Sequence, residues 1–382
     1  MKIGIMTFWW SEDNYGQLLQ CYALQKYLRD LGHDAYLIRY DARNDGITPL
    51  CKKIFKAFNP IKLCKFILVR NRLKYDKLEK QKNPREFEKF RKKNINQSQK
   101  LYKSYFELKE NPPEADIYIV GSDQVWNINS NRFPNDKTRA YCLDFGDSSI
   151  KRIAYAASFG KTQLDNLSIS QFTPLLKRFN YISVREESGI GLCKKCSIEN
   201  AELMPDPTLL LNIEIYRSLY KGEEIRKPDK PFCFLYLLGN EYSFSIKDIY
   251  NWAKTMGLEV IYVTGNLQHD KFKKQYATIP EWIYLIEHAE YVITNSYHCS
   301  IFSLLFKKTF GVIPLKGGYK GMNTRFDTLF NLFKIKKQYI NNDINHSFQG
   351  EQIDWNIIDI RQKQIINSCK LNMVIEGNYP PP

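Results

Sequence analysis

Three sets of side chains in this sequence have the types and spacing to act on an anion. The first is His298, in the stretch AEYVITNSYHCSIFSLLF. There an apolar strand (Tyr291 to Thr294) breaks at the polar turn Asn295-Ser296, and an apolar helix is expected over 301–306. An imidazole with an unperturbed pKa of about 6.5 can give or take a proton near neutrality. The second set is cationic: Lys316, Lys320 and Arg325 follow within a glycine-studded loop, and Arg185 ends the strand-like YISVR. A guanidinium fork matches carboxylate or phosphate geometry. The third set is polar. Asn14, Tyr15, Gly16 and Gln17 form NYGQ after the first strand, and Ser122, Asp123, Gln124, Trp126 and Asn127 lie in GSDQVWN after the strand DIYIV. Asp123 is a second acid or base, and the remainder offer hydrogen bonds and, through Trp126, Tyr15 or Trp10, a face on which a sugar could stack. Each has a plainer role open to it as a satisfied turn, an ion pair or a core aromatic.

These residues need elements that bring them together. KIGIMT reads as a buried strand, followed by a helix whose apolar residues Leu18, Leu19, Tyr22, Ala23, Tyr27, Leu28 and Leu31 recur at helical spacing before Gly32. HDAYLIRYD is the next strand, so the chain opens as a doubly wound unit without the G-x-G-x-x-G of a dinucleotide site. A second alternation of strands and helices begins at Pro231. The expected fold is α/β, with two Rossmann-like domains facing across a cleft. Residues 1–211 form the first, with a basic helical insertion at about 47–112. Residues 212–345 form the second, and 346–382 a helix and tail that pack back on the first. In the insertion, helical runs are expected around Cys51–Val69 and Glu86–Lys93, and no strand. Ligands of such folds gather at the carboxyl ends of strands, where helix amino-termini present free N–H groups.

Composition narrows the class. The 382 residues carry a net charge of +15, and residues 51–109 hold 19 Lys and Arg against 5 Asp and Glu, so most of the excess is local. Such a patch attracts phosphorylated ligands, anionic lipid or nucleic acid. No run approaches the roughly 20 apolar residues of a membrane span, and MKIGIMTFWW lacks the zones of a secretory signal. A cytoplasmic protein is expected, touching the inner face of the membrane through residues 51–109. Nine scattered cysteines argue against a disulfide framework, and Cys193 with Cys196 is a lone C-x-x-C without further ligands, so no metal is expected.

In order and spacing, NYGQLLQCYALQKYL, DIYIVGSDQVWN, RIAYAASFG, YISVREES and AEYVITNSYHCSIFSLLF make the chain similar to the polysaccharide pyruvyl transferase family. The resemblance spans nearly the whole chain. It implies a fold like that of GT-B glycosyltransferases and transfer of the enolpyruvyl group of phosphoenolpyruvate onto two sugar hydroxyls. The product is a cyclic ketal in a capsule or exopolysaccharide, or in its lipid-linked precursor, and phosphate is released. Phosphoenolpyruvate is then a co-substrate, and no cofactor is expected. The family histidine falls on His298, the arginine that often precedes it falls on Ser296, and the glycine that usually follows it is Cys299. Arg185, Asn295, Ser296, Lys316, Lys320 and Arg325 would hold phosphoenolpyruvate. The acceptor would meet Asn14, Tyr15, Gly16, Gln17, Ser122, Gln124, Trp126 and Asn127. Two other readings remain: a GT-B-type glycosyltransferase using a nucleotide sugar, and a basic protein binding nucleic acid or membrane. No nucleic-acid-binding signature accompanies the charge, so no nucleic-acid partner is expected.

Overall fold

A computed structural model of the chain describes residues 1–41, 78–79, 81–127, 136–239, 242, 244–265, 270–340, 344–348 and 353–379. The apolar segments lie in two parallel sheets. The first contains β1 (Lys2–Met6), β2 (Asp34–Tyr40), β3 (Gln97–Tyr102), β4 (Ile117–Val120), β5 (Lys151–Ala157), β6 (Tyr181–Val184) and β7 (Glu202–Leu203), in the order β3-β2-β1-β4-β5-β6-β7. The second contains β8 (Phe232–Leu237), β9 (Glu259–Thr264), β10 (Tyr291–Thr294) and β11 (Thr309–Val312), in the order β11-β10-β8-β9. All ladders between them are parallel. Central strands are apolar at nearly every position because helices cover both faces: all six residues of β8 are buried.

Strand order reverses in both sheets, between β1 and β4 in the first and between β8 and β10 in the second. The loops that leave these strands diverge at the switch point and open a crevice. The helix Tyr15–Asp30 leaves β1 there, capped by Asn14, whose Oδ1 accepts from the Gln17 N–H. It ends before Gly32, whose φ of +87° favours glycine.

The two lobes share a core. The Tyr15 ring stacks on Trp282 at 5.2 Å and 7°, and its hydroxyl donates to the Ala277 carbonyl at 2.6 Å. From the insertion, the Arg85 guanidinium donates to the Thr264 carbonyl at 2.5 Å. At the far end, Leu371, Val374 and Ile375 of the helix Leu371–Glu376 pack with Ile3, Ile5 and Ile117 beneath the first sheet.

Two local expectations change. Residues 97–102, read as part of a helical insertion, form the edge strand β3. Its sequence QSQKLY is polar because only its last residue is buried, so no apolar pattern announced it. The helix expected at 301 begins at Tyr297, because the Ser296 hydroxyl caps it by accepting from the Cys299 N–H. His298 therefore lies within the first turn. The helix at Glu86–Lys93 is present as Phe87–Asn94, and the run around Cys51–Val69 lies outside the described residues. Among the described residues, no helix is long and apolar enough to cross a membrane.

Candidate active site

A cleft of about 430 Å³ opens between the two switch points. Asn14 reaches it from the loop after β1, and Asp123 and Gln124 from the loop after β4. From the other side come Leu238 after β8, the turn Asn295–His298 after β10, and Leu315 after β11, followed by Tyr319, Met322 and Arg325. Two capping residues, Asn14 and Ser296, line it, so two helix amino-termini open on the same space and favour negative charge there.

His298 is held from behind by a buried carboxylate. Asp206 lies between Pro205 and Pro207, and its Oδ1 accepts from the Thr208 N–H (3.0 Å) and hydroxyl (2.7 Å). Its Oδ2 accepts from the Ser122 hydroxyl at 2.7 Å and from Arg185 Nη1 at 3.0 Å, and lies 3.2 Å from His298 Nε2. Burial alone would raise the Asp206 carboxyl, but His298, Arg185 and the Thr208 hydroxyl hold it far below the ordinary carboxylate range. Arg185 is equally enclosed. Burial opposes its charge, and Asp206, Tyr297 and Glu186 more than offset this, so its guanidinium is held above its usual value.

Arg325 has less support. Burial, then repulsion from Arg185, brings it down to about 10. Both guanidiniums lie over the Tyr297 ring, Arg185 at 4.6 Å and Arg325 at 5.7 Å from its centroid. Arg325 Nε, Arg185 Nε and Arg185 Nη2 are buried without hydrogen-bond partners among the described residues. Unpaired donors of this kind are costly unless an anion meets them. Across the cleft, Asp123 adopts a left-handed φ of +88°, rare for a side chain bearing Cβ, at a cost of about 1–3 kcal/mol. Its carbonyl holds the bend by accepting from the Val125 and Ser158 N–H groups.

The polysaccharide pyruvyl transferase pattern matches residues 14–316, which carry every cleft residue described above except Tyr319, Met322 and Arg325. The chain belongs to the polysaccharide pyruvyl transferase family. No curated protein sequence matches it. Solved structures similar to this chain include the UDP-GlcNAc 2-epimerase of Methanocaldococcus jannaschii with UDP-GlcNAc and UDP (11% identity, 97% of this chain and 94% of that one, TM-score 0.45). Another is the Neisseria meningitidis UDP-GlcNAc 2-epimerase bound to UDP-GlcNAc (11%, 98% and 92%, 0.44). A third is a Streptomyces sp. SF2575 glycosyltransferase complexed with thymidine diphosphate (9%, 96% and 96%, 0.41).

Of the residues singled out in the sequence, Asn14, Asp123, Gln124, Asn295, Ser296, His298 and Arg325 line the cleft. Others stand elsewhere or have their polar groups already engaged. Arg185 and Ser122 lie behind His298 and reach it through Asp206. Asn295 uses both ends of its amide on Leu238, accepting from its N–H and donating to its carbonyl, so it ties β10 to the loop after β8. Gln17 accepts from the Ser11 N–H, and Asn127 donates to Gln124. Gly16 supplies space rather than a contact: a Cβ there would lie 2.2 Å from His298 Nδ1.

Four expectations are corrected. Trp126 is fully buried among Phe159, Phe172 and Phe179 and donates to the Tyr141 carbonyl, so it has no face to offer a sugar. Tyr15 is enclosed by the second lobe in the same way. Lys316 and Lys320 are exposed and do not line the cleft, because their segment runs along its rim. Asp206 stood outside every candidate set drawn from the sequence. The signal available was Asp-Pro-Thr after a strand, the pattern of a carboxylate capping a short turn.

Proposed function

We propose that this transferase takes the enolpyruvyl group of phosphoenolpyruvate and closes it as a cyclic ketal on two hydroxyls of a sugar, in a polysaccharide or its lipid-linked precursor. The observation that carries this reading is the arrangement of His298. A titratable ring, backed by a buried carboxylate, stands on a helix amino-terminus beside the under-partnered Arg325.

The enol double bond is inert until its methylene carbon is protonated, and His298 supplies that proton. Arg325 and the N–H groups at the start of the helix Tyr297–Leu305 hold the carboxylate and phosphate. The acceptor lies against Asn14, Asp123 and Gln124. A sugar oxygen bonds to the central carbon, and its proton passes to Asp123 or to the deprotonated His298. Phosphate then leaves with the electrons of its bond to that carbon, and the second hydroxyl takes its place. Of the two hydroxyl protons, one balances the proton placed on the methyl group and the other departs with phosphate.

The test is phosphate release from phosphoenolpyruvate across galactose-, mannose- and glucose-containing acceptors, free and lipid-linked. In heavy water the product methyl should gain one deuterium. His298→Ala should lower turnover by about 10²–10⁴-fold without unfolding the protein. Near-normal turnover would remove His298 from the mechanism. A thermal shift with nucleotide sugars and none with phosphoenolpyruvate would favour glycosyl transfer instead.

A further inference from the structure

The geometry points to a fixed tautomer: the neutral His298 ring carries its proton on Nε2, held there by Asp206, and Nδ1 is the atom that exchanges protons in the reaction. The inference concerns the same site and rests, for its catalytic part, on pyruvyl transfer.

Asp206 decides it by being able only to accept. Its Oδ1 is occupied by the two donors of Thr208. At Oδ2, Arg185 Nη1 can only donate. Nη1 also lies 3.2 Å from the Ser122 oxygen, which accepts there, so the Ser122 hydroxyl proton turns toward Asp206 at 2.7 Å. With guanidinium and hydroxyl protons already converging on Oδ2, a carboxyl proton on that oxygen has no room and no acceptor. The third contact, His298 Nε2 at 3.2 Å, must then bring its own hydrogen. The opposite tautomer would set the Nε2 lone pair against a carboxylate.

The other ring nitrogen faces a different surrounding. Nδ1 lies against Gly16, at a distance that a Cβ would close to 2.2 Å, with the ring Cγ at 2.4 Å. Only glycine at position 16 leaves the ring seated on Asp206. Asp206 is thus a positioning residue. It never meets the substrate, but it selects the reactive nitrogen, aims it and stabilises the imidazolium whenever Nδ1 holds a proton.

The experiment uses the full chain with ¹⁵N-labelled histidine. Five histidines are present, and His298 is assigned by comparison with His298→Gln. Nitrogen–proton correlation spectra at a pH where the ring is neutral should show His298 protonated at Nε2 and bare at Nδ1. A ring protonated at Nδ1, or an exchanging mixture, would overturn the inference. In Asp206→Asn the amide can donate, so the ring should change tautomer. Turnover should fall about 10³–10⁴-fold, while KM for phosphoenolpyruvate moves by less than about threefold. A variant that kept both tautomer and turnover would also overturn it. Should Asp206→Asn fail to fold, the wild-type spectrum decides alone. That spectrum needs no substrate, so a protein releasing no phosphate from phosphoenolpyruvate would defeat the proposed function and leave the tautomer standing.

Discussion

At Asp206, five donors converge on one fully buried carboxylate: two from Thr208 and one each from Ser122, Arg185 and His298. Across the same cleft, the segment Gly317–Asn323 contains no buried residue and is anchored chiefly by Asn323, which bonds both ways to Leu315. The inner wall is over-determined and the rim is lightly held. A proton carrier must keep its direction to within a fraction of an ångström, and a buried carboxylate bonded on both oxygens enforces that. A rim that meets a bulky, partly solvated acceptor gains nothing from such rigidity. The cations differ accordingly: Arg185 and Arg325 act in a dry interior, where their charge is strong, whereas Lys316 and Lys320 act through water.

The contrast can be broken from the wall outward. After Asp206→Asn, the largest loss of turnover is expected for Gly16→Ala. The added methyl cannot coexist with the ring, so His298 should swing off Asp206 and turnover fall by at least about 10²-fold. Steady-state kinetics beside the melting temperature would check this, and full activity would mean the wall is softer than its geometry.

Arg325→Met is next. Losing a charge-assisted contact should raise KM for phosphoenolpyruvate about 10- to 100-fold. The unliganded protein should melt no lower, because burial and Arg185 both work against the charge that is removed. A marked drop in melting temperature would show that Arg325 is structural.

A third expectation concerns acid. Because the folded-state pKa of Asp206 is depressed, its contribution to stability is present above the unfolded value of about 3.9 and is lost as pH falls below it. The stability difference between wild type and Asp206→Asn, from denaturant titrations, should therefore shrink on moving from pH 6 towards pH 3. A constant difference would mean that Asp206 is not ionised.

The smallest effect belongs to the rim. Lys316→Ala and Lys320→Ala should each change KM by less than about fivefold, the range of a solvated charge contact. A larger loss, measured with the phosphate-release assay, would show that this segment closes over the ligand, and the contrast between wall and rim would narrow.

Much of the site was legible because it sits where chain direction changes. NYGQ, GSDQ and NSYH each follow an apolar strand, and each delivers a residue to the cleft. Other features were hidden for physical reasons. Trp126 and Tyr15 sit in the same motifs as true cleft residues, and nothing in their spacing shows that Phe159 or Trp282 will cover them. The edge strand β3 gains its place from backbone pairing with β2 rather than from apolar side chains.

By itself the sequence determined the two parallel sheets, through runs of apolar residues at strand length, and the family, through motifs in a set order along the chain. Tertiary structure alone decided which nitrogen of His298 is committed. Asp206 and His298 are 92 residues apart and Ser122 lies 84 residues before Asp206, and no local rule links such distant positions. Burial made the choice: with water excluded, a carboxylate, a guanidinium and an imidazole can share one interior only when every hydrogen between them points the right way.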